Sequence, residues 1–219
     1  DLSEYSGNEL DESDIMDLNY RYDDNLIVIY EQLAKENADN DTVASGYYSM
    51  AIGYCEDYIG ILKMKVDEDD SITLGGTSVN AYNQSYYNKM MTEARCYDAQ
   101  GKTDDALAVY EEEEKVFGTE NEWSDNVYAE HLDYLYRLCE AKEQDPRLWP
   151  AKIPDLTRQL VQVYDNGANV SGIDSNKTWY KRKDTLQMLK DGNYDAVEEE
   201  GTQTPDETSE DAQSAEMGE

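Results

Sequence analysis

Apolar residues recur at three- and four-residue steps through most of the chain, the spacing that places side chains on one face of an α-helix. In the first such segment, residues 13–36, the apolar positions are Ile15, Leu18, Tyr22, Leu26, Ile29 and Leu33. The same spacing predicts further helices over residues 43–65, 80–100, 103–117, 123–143, 154–164 and 176–191. The pattern therefore predicts an all-α chain of about seven helices.

Residues that start or stop helices mark the predicted ends. Thr42 can cap the second helix, and Gly118 ends the fourth. Three prolines stand at four-residue steps, at positions 146, 150 and 154. Because proline is tolerated in a first turn but breaks a helix interior, the sixth helix is expected to begin near Pro154. The longest loop predicted inside the core covers residues 66–79, with room for a short hairpin.

Charge changes the picture of possible partners. The chain holds 50 acidic and 18 basic residues, a formal net charge of -32 at pH 7. Nucleic-acid binding needs Lys and Arg to neutralise phosphates, so the net charge all but rules out that function. It also argues against docking on an anionic membrane surface. No apolar run approaches the roughly 18 residues of a membrane span. Salt adaptation is an alternative source of the acidity, but Lys outnumbers Arg twelve to six.

The acidic residues concentrate at both ends. Residues 1–19 and 195–219 contain no basic residue, and the C-terminal stretch has few bulky apolar side chains. Such a stretch cannot bury enough surface to offset its ordering entropy. We therefore expect a flexible acidic N-terminus over residues 1–12, a helical-repeat domain over 13–191 and a disordered acidic tail over 192–219.

Residues 88–110 contain the clearest repeat-like pattern. Small Ala94 precedes Tyr97 by three residues, Gly101 lies in the turn, and Ala106 precedes Tyr110 by four residues. Two small residues let the paired helices approach closely, and the two tyrosines fill the neighbouring holes. The stretch resembles a tetratricopeptide repeat (TPR). The resemblance implies antiparallel helix pairs stacked as a TPR-like α-solenoid, covering about residues 42–164.

The TPR resemblance also implies a binding surface. In that family the first helix of each pair lines a concave groove, and the corresponding residues here are Asn88, Met91, Thr92, Arg95 and Asp98. The clamp that some TPR proteins use for a C-terminal carboxylate needs several basic or amide residues there, and only Asn88 and Arg95 qualify. The segment departs from the family at four positions, which are Met90, Glu93, Glu113 and Gly118.

Nothing in the sequence carries a recognisable catalytic or metal motif. His131 is the only histidine, and no nucleophile elbow, phosphate loop or zinc-binding pattern accompanies it. The run Glu111–Glu114 is interpreted as a solvated helix face. Residues 67–70 are acidic enough to attract calcium but lack the EF-hand spacing. We therefore predict no catalytic residue, no metal and no cofactor, and the chain is not expected to be an enzyme.

Tyrosine dominates the aromatic residues, with 19 tyrosines against one phenylalanine. Many stand at helical core spacing, so core packing is the favoured interpretation and an aromatic groove for peptide or sugar the alternative. The three cysteines, Cys55, Cys96 and Cys139, are widely spaced and are expected to be buried without a disulfide framework. The basic residues of 177–183 are expected to pair with neighbouring acids.

The favoured function is a non-catalytic scaffold that binds a protein or peptide, preferably neutral or basic, in a TPR-like groove. The alternative is an extracytoplasmic sensor or ligand-binding domain of a membrane-anchored bacterial protein. Residues 170–174 followed by a helix with Trp179 resemble the region beyond the membrane in some Firmicutes Ser/Thr kinases. The start at Asp1 rather than Met favours an anchored or secreted protein over a cytoplasmic one. A helical glycosidase ranks last, because an α/α barrel needs more than seven helices.

Overall fold

The computed structural model of the chain describes residues 12–68, 73–77 and 80–193. These residues form helices and turns without any strand, so the all-α prediction is confirmed for this part of the chain. The α-helices are α1 (Glu12–Glu36), α2 (Asp41–Glu68), α3 (Ala81–Ala99), α4 (Thr103–Phe117), α5 (Ser124–Lys142), α6 (Trp149–Lys152), α7 (Pro154–Gly167) and α8 (Lys177–Asp191). The predicted flexible ends, 1–12 and 192–219, lie outside the described residues apart from Glu12, Gly192 and Asn193.

The ends of α2 differ from the prediction. The helix begins at Asp41, and the side chain of Asn40 accepts a hydrogen bond from the backbone N–H of Val43 at 3.3 Å. Asn40 therefore takes the capping role that was assigned to Thr42. At its other end α2 continues through Glu68, so residues 66–68 of the predicted loop are helical. Residues 69–72, which include the last two residues of the acidic segment 67–70, lie outside the described residues.

Each of the three prolines lies in the first turn of a helical segment, and the described residues form eight α-helices instead of about seven. Pro146 starts a short 3₁₀ segment, Pro150 lies in the first turn of α6, and Pro154 starts α7. The backbone nitrogens of a first turn donate no hydrogen bond within the helix, so a proline there removes none. Three first turns can therefore follow one another without loss of a helical hydrogen bond. Only the start at Pro154 agrees with a helix predicted from the sequence.

Consecutive helices pack antiparallel. Tyr20, early in α1, stacks on Tyr58, late in α2, with ring centroids 4.1 Å apart, and Tyr30 stacks on Tyr54 at 5.6 Å. The α3–α4 pair meets at the two alanines of the repeat pattern, since Ala94 and Ala106 are both buried. Side chains this small allow two helix backbones to approach closely.

Alternate helices also lie side by side, in parallel. The hydroxyl of Tyr20 in α1 donates to Ser85 Oγ in α3 at 3.1 Å, and Asp24 pairs with Lys89 one turn further along both helices. Helix α3 contacts α5 in the same way, because Tyr134 donates to Asp98 at 3.0 Å. Helices α1, α3 and α5 therefore form one side of the molecule.

Two hydrophobic clusters make up the core. The first joins α1–α5 and contains Tyr58, Tyr86, Tyr110 and Phe117, whereas the second joins α5–α8 around Leu132, Trp149 and Trp179. Helix α5 contributes to both. The tyrosines pack mainly as core residues, as expected, and all three cysteines are buried and free. No helix in the described part of the chain combines the length and apolar character that crossing a membrane requires.

Candidate functional site

Four of the five predicted groove residues line one cavity of about 450 Å³ between α3 and α5. Because Asn88, Met91, Thr92 and Arg95 are spaced by three or four residues, they share one face of α3. Helix α5 supplies the opposite wall. The full lining, here called the α3–α5 groove, is Tyr87, Asn88, Met91, Thr92, Arg95, Tyr110, Glu130 and Arg137.

The groove has an apolar floor and a charged rim. Met91 and Thr92 are only 5% and 8% exposed, so they belong to the floor. Arg95 is more than half exposed, and it donates to Thr92 Oγ1 at 2.8 Å while lying 3.8 Å from Glu31 of α1. Across the groove, Arg137 donates to Asp133 at 3.2 Å. Both arginines are thus held at the rim with their guanidinium groups accessible.

Asp98, the fifth predicted residue, does not line this cavity. It is exposed and accepts the hydrogen bond from Tyr134, which ties α3 to α5 just beyond the groove. Glu130 and Arg137 come from the next helix pair and were not among the predicted groove residues. Tyr87 was also missed, although it precedes Asn88 directly and stacks on Trp123 with ring centroids 5.1 Å apart.

Glu113 lies in the core beneath the groove. Its side chain is fully buried, and neither carboxylate oxygen has a hydrogen-bond partner among the described residues. Burial, followed by the nearby charges of Glu130 and Glu114, holds the pKa of Glu113 well above its ordinary value. The carboxyl therefore keeps its proton at pH values where exposed glutamates are ionised.

The interpretation of Glu111–Glu114 as a solvated face is wrong for its last two residues. Glu114 lies 2.6 Å from the Nδ1 atom of His131, and the imidazole is buried and stacked on Tyr110 with ring centroids 5.3 Å apart. Only Glu111 and Glu112 face solvent. Glu114 and Tyr110 of α4 thus hold the imidazole of His131 in place from two sides, and these contacts join α4 to α5.

The described residues offer no cluster of three or more His, Cys, Asp or Glu side chains arranged to hold a metal ion. In the acidic segment 67–70, which lacks the EF-hand spacing, Asp67 and Glu68 lie in the last turn of α2, and Asp69 and Asp70 lie outside the described residues. In the basic cluster of α8, Lys183 pairs with Asp174 at 2.8 Å and Arg182 with Asp133 at 3.3 Å. Those two residues thus pair with acids, as predicted.

Comparison with known proteins does not assign the chain to a family. No family model, no curated protein and no solved structure matches the chain. The case for function therefore rests on the residues of the groove and on the cavities beside it.

Proposed function

We propose that this chain is a non-catalytic scaffold that binds a protein or peptide segment in the α3–α5 groove of a TPR-like α-solenoid. The observation that carries the proposal is the convergence of four residues, chosen from the face of one helix, on a single cavity of about 450 Å³. A groove of this size suits a few residues of an extended chain better than a large folded surface.

The helix packing supports the solenoid part of the proposal. Two contacts join α3 to α5 and the residue before it. Tyr87 stacks on Trp123 and Asp98 bonds Tyr134, and each contact joins residues 36 positions apart. That offset is close to the 34-residue period of TPR proteins. The parallel contacts of α1 with α3 and of α3 with α5 are also those expected when successive helix pairs stack.

The groove chemistry indicates how a segment is held. The exposed amide of Asn88 can bond a peptide group, while Arg95 and Arg137 offer cationic donors and Glu130 an acceptor. The buried floor at Met91 accepts a small apolar side chain. With a net charge of -32, the chain meets neutral or basic partners faster than acidic ones.

The test is selection from a displayed library of random peptides on the full chain, with affinities measured by isothermal titration calorimetry. Asn88→Ala combined with Arg137→Glu alters the walls and leaves the buried floor intact. We expect this variant to bind selected peptides at least about tenfold more weakly. Arg158→Glu, at a side chain 75% exposed on α7, is the charge-matched control and should bind like the wild type. Equal affinity of both variants, or no selected peptide, contradicts the proposal.

A second candidate function is a ligand-binding or sensor domain outside the cytoplasm. One observation favours the ligand-binding part of this candidate, which is another cavity of about 420 Å³ on the opposite face of α3, with a buried carboxyl side chain in its lining. The two functions use different surfaces, so loss of peptide binding in the groove leaves this candidate untouched.

A further inference from the structure

A second cavity lies between α2, α3 and α4. Its α3 residues, Tyr86, Met90, Glu93 and Tyr97, recur at three- and four-residue steps, on the face of α3 turned away from the α3–α5 groove. Its volume is about 420 Å³. We call this space the α2–α4 cavity, and it shares no lining residue with the groove.

Two polar side chains in the lining are buried. Glu93 is 8% exposed, and the charge of Lys63 on α2 acts on its carboxylate. Tyr86 is fully buried, and its hydroxyl has no hydrogen-bond partner among the described residues. Buried polar groups in proteins are normally satisfied, so a hydroxyl left open beside a cavity and next to a buried carboxylate points to a group that enters from outside.

The rest of the lining defines the charge of that group. Glu56 of α2 and Asp105 and Glu112 of α4 surround the opening with exposed carboxylates. Lys63 is the single basic residue of the lining, and its ammonium group lies 5.8 Å from the centroid of the Tyr86 ring. The ammonium group of Lys63 thus already lies over the face of the Tyr86 ring.

We propose that the α2–α4 cavity binds a small aliphatic amine with two or more ammonium groups, of the diamine or polyamine class. One ammonium group pairs with Glu93 over the face of Tyr86, in place of the exposed Lys63 side chain. The methylene chain packs on the apolar wall of Ile59, Met90 and Val109, and a second ammonium group meets the carboxylates of the rim. The site is independent of the peptide groove.

Proton linkage gives this site a distinctive signature. Burial, followed by the charge of Glu56, raises the pKa of Glu93 to about 7. The charged or titratable groups around it are Cys55, Glu56 and Lys63 from α2, Tyr86, Cys96 and Tyr97 from α3, and Asp105 and Glu112 from α4. A bound ammonium group favours the ionised carboxylate, so binding near pH 7 releases protons and tightens as pH rises through the pKa of Glu93.

The experiment is calorimetric titration of the full chain with putrescine at constant ionic strength, in two buffers with different ionisation heats. We expect saturable binding with proton release for the wild type. Glu93→Gln should weaken binding at least about tenfold and abolish the proton release. Asp105→Asn should weaken binding, whereas Asp104→Asn, its exposed neighbour outside the lining, loses the same charge and should bind like the wild type.

Two further measurements separate this site from general attraction to an acidic protein. Gly60→Leu fills the cavity wall without removing a charge, and a Cβ atom at Gly60 meets nothing within 4 Å, so the variant should fold and lose binding. Mg²⁺ carries the same charge as putrescine without its methylene chain and should not compete. Any one of four results overturns the proposal. These are equal affinity of Glu93→Gln and Asp104→Asn, displacement of putrescine by Mg²⁺, retained binding by a folded Gly60→Leu, and an absence of saturable binding.

Discussion

Replacing Glu113 by glutamine tests whether α4 carries a protonated carboxyl group into the core. In the unfolded chain this residue titrates near its ordinary pKa of 4.5, whereas burial raises its pKa in the folded chain. Between those two values the folded chain holds one more proton than the unfolded chain. Rising pH therefore lowers the free energy of unfolding in that interval, by about 1.4 kcal/mol for each pH unit.

Glutamine does not titrate, so Glu113→Gln removes this contribution. The buried amide also lacks a partner, but that cost is the same at every pH. We therefore expect the stability of the variant relative to the wild type to increase by about 1.4 kcal/mol per unit from about pH 5 upward, until the pH reaches the folded-state pKa. For a chain of this size each kcal/mol corresponds to about 2–4 °C in the melting temperature.

The assay is urea denaturation followed by circular dichroism, at a series of pH values. Glu111→Gln is the matched control, because it removes the same charge from an exposed position on the same helix. The general repulsion among the acidic residues then cancels in the comparison. If the two variants show the same pH dependence relative to the wild type, the carboxyl of Glu113 is ionised in the folded chain and the reasoning fails.

Two further predictions concern packing and thiol reactivity. A Cβ atom at Gly167 would lie 2.5 Å from Trp179 Cη2, so Gly167→Ala should lower the free energy of unfolding by about 1–3 kcal/mol. Gly46→Ala, where a Cβ atom meets nothing within 4 Å, should raise it by about 0.5–1 kcal/mol. Chemical denaturation measures both, and similar effects would contradict the packing. Burial raises the pKa of Cys96 and Cys139 to about 12. A disulfide reagent should therefore modify no thiol in the folded chain and all three in denaturant, and rapid native labelling would show an exposed cysteine.

Long periodic helices could be predicted from the sequence because local residues decide them. The predicted ends of the third and fourth helices fall within one residue of α3 and α4, where Asn80 caps one helix and Gly101 turns the chain into the next. The one-turn helix α6 could not be predicted from periodicity, since four residues complete barely one turn. Its only local signal was Pro150.

The groove could be predicted only on the helix that carries the repeat pattern. Its α3 side follows from the TPR resemblance, which implies groove positions for Asn88, Met91 and Arg95. Glu130 and Arg137 reach the cavity through the docking of α5. The burial of Glu113 could likewise not be predicted, because four consecutive glutamates normally indicate a solvated helix face. Packing against α5 decides which of them turns inward, and no local rule contains that information.

The aromatic pairs of the core have an optical consequence. Each tryptophan lies beside a tyrosine, with ring centroids 5.1 Å apart for Tyr87–Trp123 and 5.0 Å apart for Tyr136–Trp149 and Tyr164–Trp179. At such separations the excited tyrosine transfers its energy to the tryptophan, so that the tyrosine's own fluorescence is quenched. Because Trp123 packs on the first cluster and the other two belong to the second, each half of the core carries its own fluorescent reporter. If tyrosine emission rises in one step during unfolding, the two halves of the core unfold together. If it rises in two steps, they unfold separately.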